Sequence, residues 1–221
     1  ACATMGIITQ AIVMSGLAFK IVFLIKNLSG EYSFIAVILT MLVSLLFGMG
    51  IPTTASYIIV AVIAAPALTG FGFDLLASHL FIYYFCIMEN ITPPVASAAL
   101  VASQMAGGDY FKTALQAIRL GLAGFVLPFV FLYSNELLLK GSLINIIMVV
   151  VSSFVGMFAV AVFFEGYLFR KLNRIERFFI LISGMLLVIP EKYTDIFGYI
   201  ILFTMLGILR SKKEQPQQTV T

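Results

Sequence analysis

Apolar positions along this chain come in long unbroken blocks, and two of those blocks are interrupted near their midpoints by short polar sequences. The first block covers residues 32–68 and is interrupted by Gly48-Met49-Gly50-Ile51-Pro52-Thr53-Thr54. The second covers 75–106 and is interrupted by Glu89-Asn90-Ile91-Thr92-Pro93-Pro94. About a dozen apolar residues stand on either side of each break, roughly half of what a spanning helix needs. Unwound backbone at membrane depth is tolerated only where it is buried in protein or lines a cavity. A pair of hydrophobic segments broken by Gly and Pro is therefore the sequence signature of a transporter's binding site. The first break predicts a re-entrant hairpin that enters and leaves on one side, the second a discontinuous helix that crosses.

Five further apolar runs read as continuous or nearly continuous spans, at about 5–25, 120–133, 143–164, 178–190 and 196–209. Their continuity excludes a transmembrane barrel, which needs alternation. The expected fold is an all-α polytopic membrane protein. Residues 1–135 would hold the hairpin and the discontinuous helix, 136–210 additional membrane helices, and 211–221 a disordered tail rich in Lys and Gln. Composition agrees: 62% of residues are hydrophobic, 10% charged, and the mean hydropathy is +1.10, whereas a soluble domain carries about 25% charged residues. The chain opens at Ala1 inside an apolar segment, with no basic region before it, so it does not read as a signal peptide. It reads as the C-terminal part of something longer, whose upstream remainder holds the inverted-repeat partner of the breaks.

Basic residues set the orientation. With the hairpin and the crossing helix placed as above, Lys112, Arg119, Arg170, Lys171, Arg174, Arg177, Arg210, Lys212 and Lys213 fall on one side, and Lys26, Lys140 and Lys192 on the other. The larger group marks the cytoplasm and puts the C-terminus there. The net charge of +3 is thus topology and gives no reason to expect a nucleic-acid partner. The segment 109–119 reads as an amphipathic linker at the interface, and 165–177 as a solvated helix end touching anionic lipid. Cys2 and Cys86 read as buried free thiols, and two Cys with one His make no metal-ligand set.

The breaks carry the chemistry. Gly48 and Gly50 lack a Cβ and let backbone turn or approach a ligand. Pro52 removes an N–H and restricts Ile51, and Thr53 and Thr54 offer hydroxyls where Thr caps a helix well. Free carbonyls at such an apex suit a hard cation such as Na⁺, and exposed N–H groups suit an anion. In the second break Asn90 and Thr92 offer side-chain oxygens, and Pro93-Pro94 suit the first turn of a new helix. A mostly neutral, oxygen-rich site fits Na⁺ better than Zn²⁺ or Mg²⁺. The alternative is a pair of ordinary kinks, but two neighbouring breaks that both place Thr beside Pro favour function. Glu89 is an intramembrane carboxylate that could hold a cation, carry a coupling proton, or simply end a half-helix in a wet mouth. Lys20 either snorkels or meets an anionic substrate. His79 reads as an interfacial hydrogen-bonding residue or a proton relay.

At these residues the chain resembles the fused membrane subunit of tripartite ATP-independent periplasmic transporters. The resemblance rests on Leu46-Phe47-Gly48-Met49-Gly50-Ile51-Pro52-Thr53-Thr54-Ala55-Ser56-Tyr57, then Ala64-Ala65-Pro66-Ala67-Leu68, His79-Leu80-Phe81 and Asn90-Ile91-Thr92-Pro93-Pro94-Val95-Ala96, in that order. It covers roughly residues 1–135. It implies an elevator-type secondary transporter, driven by a sodium gradient, that imports organic anions such as dicarboxylates or amino acids. A periplasmic solute receptor would deliver them. Carried onto this sequence, Gly48, Gly50 and Thr92, with Asn90 beside them, would bind sodium. Pro52, Thr53, Thr54, Pro93 and Pro94 would face the substrate. Na⁺ would be the coupling ion and no cofactor is implied.

Two other classes fit less well. A channel filter comes from repeats of one motif, and the two breaks differ in sequence. An intramembrane enzyme would need a Ser-His pair in motif context, a paired-Asp site or a His-rich metal set, none of which the sequence offers. A proton-coupled transporter centred on Glu89 stays open.

Overall fold

The computed structural model describes residues 14–49, 51–189 and 192–211, together with positions 7, 10 and 11. Nine helices are defined among them: α1 (Leu17–Ser29), α2 (Ser33–Gly48), α3 (Thr53–Gly70), α4 (Leu75–Met88), α5 (Ser97–Ala106), α6 (Tyr110–Tyr133), α7 (Leu143–Glu165), α8 (Arg174–Val188) and α9 (Lys192–Ser211). Short 3₁₀ turns at Glu89–Ile91 and Asn135–Leu138 join them. The protein is an all-α polytopic membrane protein. Among the described residues, four helices are long and apolar enough to cross a bilayer, over Thr53–Gly70, Tyr110–Tyr133, Leu143–Glu165 and Tyr193–Arg210.

Three of the four arms flanking the breaks are longer than the dozen residues of the sequence pattern. At 1.5 Å per residue, the 16 residues of α2 extend about 24 Å and the 18 of α3 about 27 Å. The 14 of α4 extend about 21 Å, and α5 adds only 10 residues. Length alone would let α3 cross. What marks α2–α3 as a hairpin is that its tip meets the break after α4, described below.

Around the hairpin, α2, α3 and α4 pack against one another, α1 lies on α2 and α3, and α6 lies on α4 and α5. The main core joins Val37, Leu68, Phe81 and Phe85 with Phe131 and Leu132 of α6. Edge-to-face contacts organise its aromatic rings, Phe81–Phe85 at 4.8 Å and Phe81–Phe129 at 5.4 Å between centroids.

Two expectations are corrected. Residues 109–119 form no separate interfacial linker. Asp109 caps α6 by accepting from the Lys112 N–H at 2.9 Å, and the helix runs unbroken to Tyr133. Helix-forming Ala, Leu and Gln at 114–117 carry it through the charged stretch. Pro93 and Pro94 do not open the new helix. They lie in a turn ahead of it, because the residue before a proline is kept out of the helical region, and Thr92 is accordingly extended at φ −100°, ψ 120°. Helix α5 starts only at Ser97, after the left-handed Ala96 at φ 36°. The segment 165–177 is exposed at most of its positions, as expected of a solvated helix end, while two of its arginines are engaged by the fold. Arg170 pairs with Glu176 at 2.6 Å, and Arg177 donates to the Phe163 carbonyl at 3.0 and 2.7 Å. Lys171 and Arg174 stay exposed.

Helices α7, α8 and α9 form a second bundle around Ala159, Val162, Ile180, Leu187 and Leu202. Small residues let α7 and α8 approach, as membrane helices require. A Cβ on Gly156 would stand 3.0 Å from the Gly184 carbonyl oxygen, and one on Gly184 would stand 3.0 Å from the Gly156 oxygen. Ser183 donates to the Gly198 carbonyl at 3.0 Å and ties α8 to α9.

At the loop before α4, Asp74 caps that helix by accepting from the Leu76 and Ala77 N–H groups, and pairs with Lys140 at 2.6 Å. The Lys140 ammonium, helped by the backbone donors, holds the Asp74 carboxyl below the usual carboxylate range. A carboxyl lowered on folding stabilises above its unfolded pKa of about 3.9 and loses that stabilisation as pH falls through its folded value. The pair is therefore expected to persist from pH 5 to 8. Acid melting below about pH 4 should be less steep in Asp74→Asn than in the parent, by thermal unfolding in detergent. Equal slopes would show that the pair contributes nothing.

Candidate functional site

The two breaks, 37 residues apart in the chain, are in contact. Helix α2 ends at Gly48, and an added Cβ there would stand 2.9 Å from Cγ and 3.3 Å from Cβ of Glu89 and 3.7 Å from the Cys86 Cα. Only a glycine lets the α2 terminus lie this close to α4. Glu89 is 2% exposed and Cys86 fully buried, so the contact is sealed. Cys86 was expected to be buried; Cys2 lies outside the described residues, as does Gly50.

Polar side chains staple the tip to the break. The Asn90 amide donates to the Thr53 hydroxyl at 3.4 Å and to the Ile87 carbonyl at 3.0 Å, while its oxygen accepts from the Ser97 hydroxyl at 2.7 Å. One side chain thus touches the start of α3, the end of α4 and the start of α5. Thr92 donates to the Met88 carbonyl at 2.7 Å, taking up an oxygen that the helix end frees. Its lone pairs stay available to a cation. The Pro93–Pro94 peptide is cis, and the Pro94 carbonyl accepts from the Tyr110 hydroxyl at 2.8 Å, which fixes the turn to α6.

At the tip, the chain leaves α2 through Met49 and re-enters a helix at Thr53, with Pro52 in the N-cap position. Thr53 and Thr54 are the first residues of α3 and not its caps, and no side chain caps this terminus. The Ala55 and Ser56 N–H groups bond the Pro52 carbonyl at 2.8 and 3.0 Å. A first turn without a side-chain acceptor, at the positive end of a helix dipole, attracts an anion. Thr54 and Pro52 are exposed beside it. The site thus brings the carbonyl end of α4 and the N–H end of α3 to one contact, through Asn90. Such an arrangement can hold a cation and an anion side by side.

Helix α6 backs the break. A Cβ on Gly124 would stand 2.7 Å from Cε of Met88, and one on Gly121 would stand 2.5 Å from Cδ1 of Ile91. These glycines lie outside every motif singled out in the sequence; their three-residue spacing on a helix face was the available signal. His79 is a hydrogen-bonding residue, its Nδ1 3.1 Å from the Tyr57 hydroxyl, and it joins α4 to α3 one turn beyond the tip.

Comparison with known proteins places this geometry. A family model described as the DctM component of the tripartite ATP-independent periplasmic transporter matches residues 1–146. The chain belongs to the DctM family. No curated protein and no solved structure matches it. The DctM match takes in the hairpin, the broken helix and all of α6, and ends at the start of α7. This DctM chain is therefore a membrane component of a transporter, and its bundle α7–α9 lies almost wholly beyond the family match.

Proposed function

We propose that this chain forms the part of a tripartite ATP-independent periplasmic (TRAP) permease that binds a coupling sodium ion and an organic anion, a dicarboxylate or an amino acid. A periplasmic receptor delivers the anion and the hairpin and broken helix carry it across in an elevator-type motion. The meeting of hairpin tip and helix break, through Gly48–Glu89 and Asn90–Thr53, carries this reading. Half-helix ends converging at membrane depth are how secondary transporters hold ions and anions.

The roles divide by chemistry. The Gly48 and Gly50 carbonyls, the Thr92 hydroxyl and the Asn90 side chain supply neutral oxygens for sodium, a donor set a hard monovalent cation accepts. The first turn of α3 at Thr53 and Thr54, with Pro52, Pro93 and Pro94 shaping the walls, receives the substrate carboxylate. The end bearing Arg119, Arg177 and Arg210 faces the cytoplasm, by the excess of basic residues there, and a periplasmic receptor implies a bacterial or archaeal inner membrane.

Thr92→Ala is expected to raise the sodium concentration needed for half-maximal uptake by about tenfold or more, since an oxygen that touches the ion matters at least as much as the groups that orient such ligands, whose loss costs that much. Insertion should be unchanged. Uptake with unaltered sodium dependence would remove Thr92 from the site.

A second reading follows from the near-complete burial of Glu89, which suits a proton carrier. Glu89→Gln keeps its shape and removes its proton. Sodium coupling predicts that the variant's uptake still follows the sodium gradient. Uptake that follows a proton gradient in the parent and vanishes in Glu89→Gln would install the proton as the coupling ion.

A further inference from the structure

We infer that the C-terminal bundle α7–α9 travels with the hairpin and broken helix as one moving body and is not part of the static frame they move against. This rests on the elevator reading given above. The family match ends where the bundle begins, so the joint between the two decides whether the extra helices ride or stay.

That joint is fastened at both membrane faces. At the basic end, Arg119 of α6 donates to the Phe164 carbonyl at 3.1 and 2.9 Å and to the Glu165 carbonyl at 3.3 Å, the last turn of α7. Arg177 of α8 grips the same turn from its other side and lies 5.4 Å from the Phe163 ring centre. Guanidinium groups at a helix C-terminus satisfy carbonyls with no helical partner and offset the negative end of its dipole. Gly166, at φ +70°, leaves room for this: a Cβ there would stand 3.1 Å from the Arg177 guanidinium. At the opposite end, Lys140 in the connection to α7 pairs with Asp74, the cap of α4.

Between the two fastenings, α6 itself interlocks with the break, through Gly124 against Met88 and Gly121 against Ile91. A displacement of the break relative to α7 would have to uncouple α6 from the broken helix, or else strip an arginine from several carbonyls and part an ion pair. The other flank differs in kind. Helix α1 meets the hairpin through Ala18 against Ile59 and Ile63, and through Ile25 against Ala36 and Ala67. Small apolar faces of that sort slide without giving up hydrogen bonds.

The test is covalent bridging in the complete permease, reconstituted with its receptor, in a background with Cys2→Ala and Cys86→Ala. Arg119→Cys with Glu165→Cys spans α6 and α7 at the basic end, and Asp74→Cys with Lys140→Cys spans the joint at the other. Each pair is closed with a bifunctional methanethiosulfonate reagent and reopened by reduction. A bundle that rides keeps uptake after bridging at either end. Uptake that is lost on bridging and recovered on reduction, at either end, overturns the inference. Should one pair fail to transport before bridging, the pair at the other face supplies the same readout. Absence of sodium-driven uptake in the unbridged parent would count against the transport reading itself, and is seen before any reagent is added.

Discussion

Gly48→Val is expected to abolish sodium-driven uptake while leaving the permease inserted in the membrane. The expectation follows from the Cβ position alone: even an alanine would meet Glu89 Cγ at 2.9 Å and Glu89 Cβ at 3.3 Å, with the α4 backbone at Cys86 next at 3.7 Å. Glu89 cannot swing clear, because it is buried against the same surface. Valine adds two further methyl groups, so the tip must lift away from the break. Overpacking of this kind costs about 1–3 kcal/mol, a modest loss for the whole fold. The loss at the site is larger, since a misplacement near 1 Å costs about 100-fold in rate where several groups must converge. Asn90 would no longer reach Thr53, whose 3.4 Å bond is already long. Initial uptake rates and membrane abundance, measured together for Gly48→Ala and Gly48→Val, separate the two effects. Uptake by the valine variant at the parental rate would mean that tip and break need not touch.

The second large effect is expected in the bundle. Gly156→Leu should lower the stability of α7–α9 by about 3 kcal/mol, the upper part of the range for overpacking. The obstruction is backbone and not a side chain that can turn aside: the Gly184 oxygen stands 3.0 Å from the new Cβ, with Cβ of Leu187 and Cγ2 of Val188 at the same distance. The reciprocal variant, Gly184→Leu, meets the Gly156 oxygen at 3.0 Å and the Val160 nitrogen at 3.1 Å, and should behave alike. Gly207→Ala is the internal comparison, for nothing lies within 4 Å of its Cβ. There the loss of unfolded-state freedom should leave stability unchanged or raised by up to about 1 kcal/mol. Thermal unfolding in detergent of the three variants checks the ordering. A Gly156→Leu protein that melts with the parent would mean that α7 and α8 do not cross at these glycines.

Most helices were legible because burial in lipid demands continuous apolar runs, and Gly or Pro is what interrupts them. The breaks at 48–54 and 89–94 could be placed for that reason, within two residues of where the helices end and restart. Where a helix carries charge through its first turns, the same signal failed. Residues 109–119 looked like a surface linker because Lys112 and Arg119 dominate the pattern, although Asp109 already stood in the sequence as a cap for the helix that follows. The prolines misled in the other direction: Pro93 and Pro94 are compatible with a first turn, but their effect on Thr92 and the left-handed Ala96 delayed α5 to Ser97. Contacts between distant segments were not legible at all. Nothing in the local pattern pairs Gly48 with Glu89, Asn90 with Thr53 or Arg119 with the end of α7, for these depend on how the helices cross. The basic residues show the same limit. Their excess on one side follows from counting, whereas the engagement of Arg119, Arg170 and Arg177 by carbonyls and a carboxylate could be read only from the fold.

Uptake of labelled dicarboxylates and amino acids into proteoliposomes holding the complete permease tests the whole account, with the solute receptor outside and an inward sodium gradient. The account predicts accumulation that requires the receptor and the gradient together and collapses when sodium is equal on both sides. Uptake indifferent to sodium, or an ionic current through the reconstituted protein without accumulation, would contradict it.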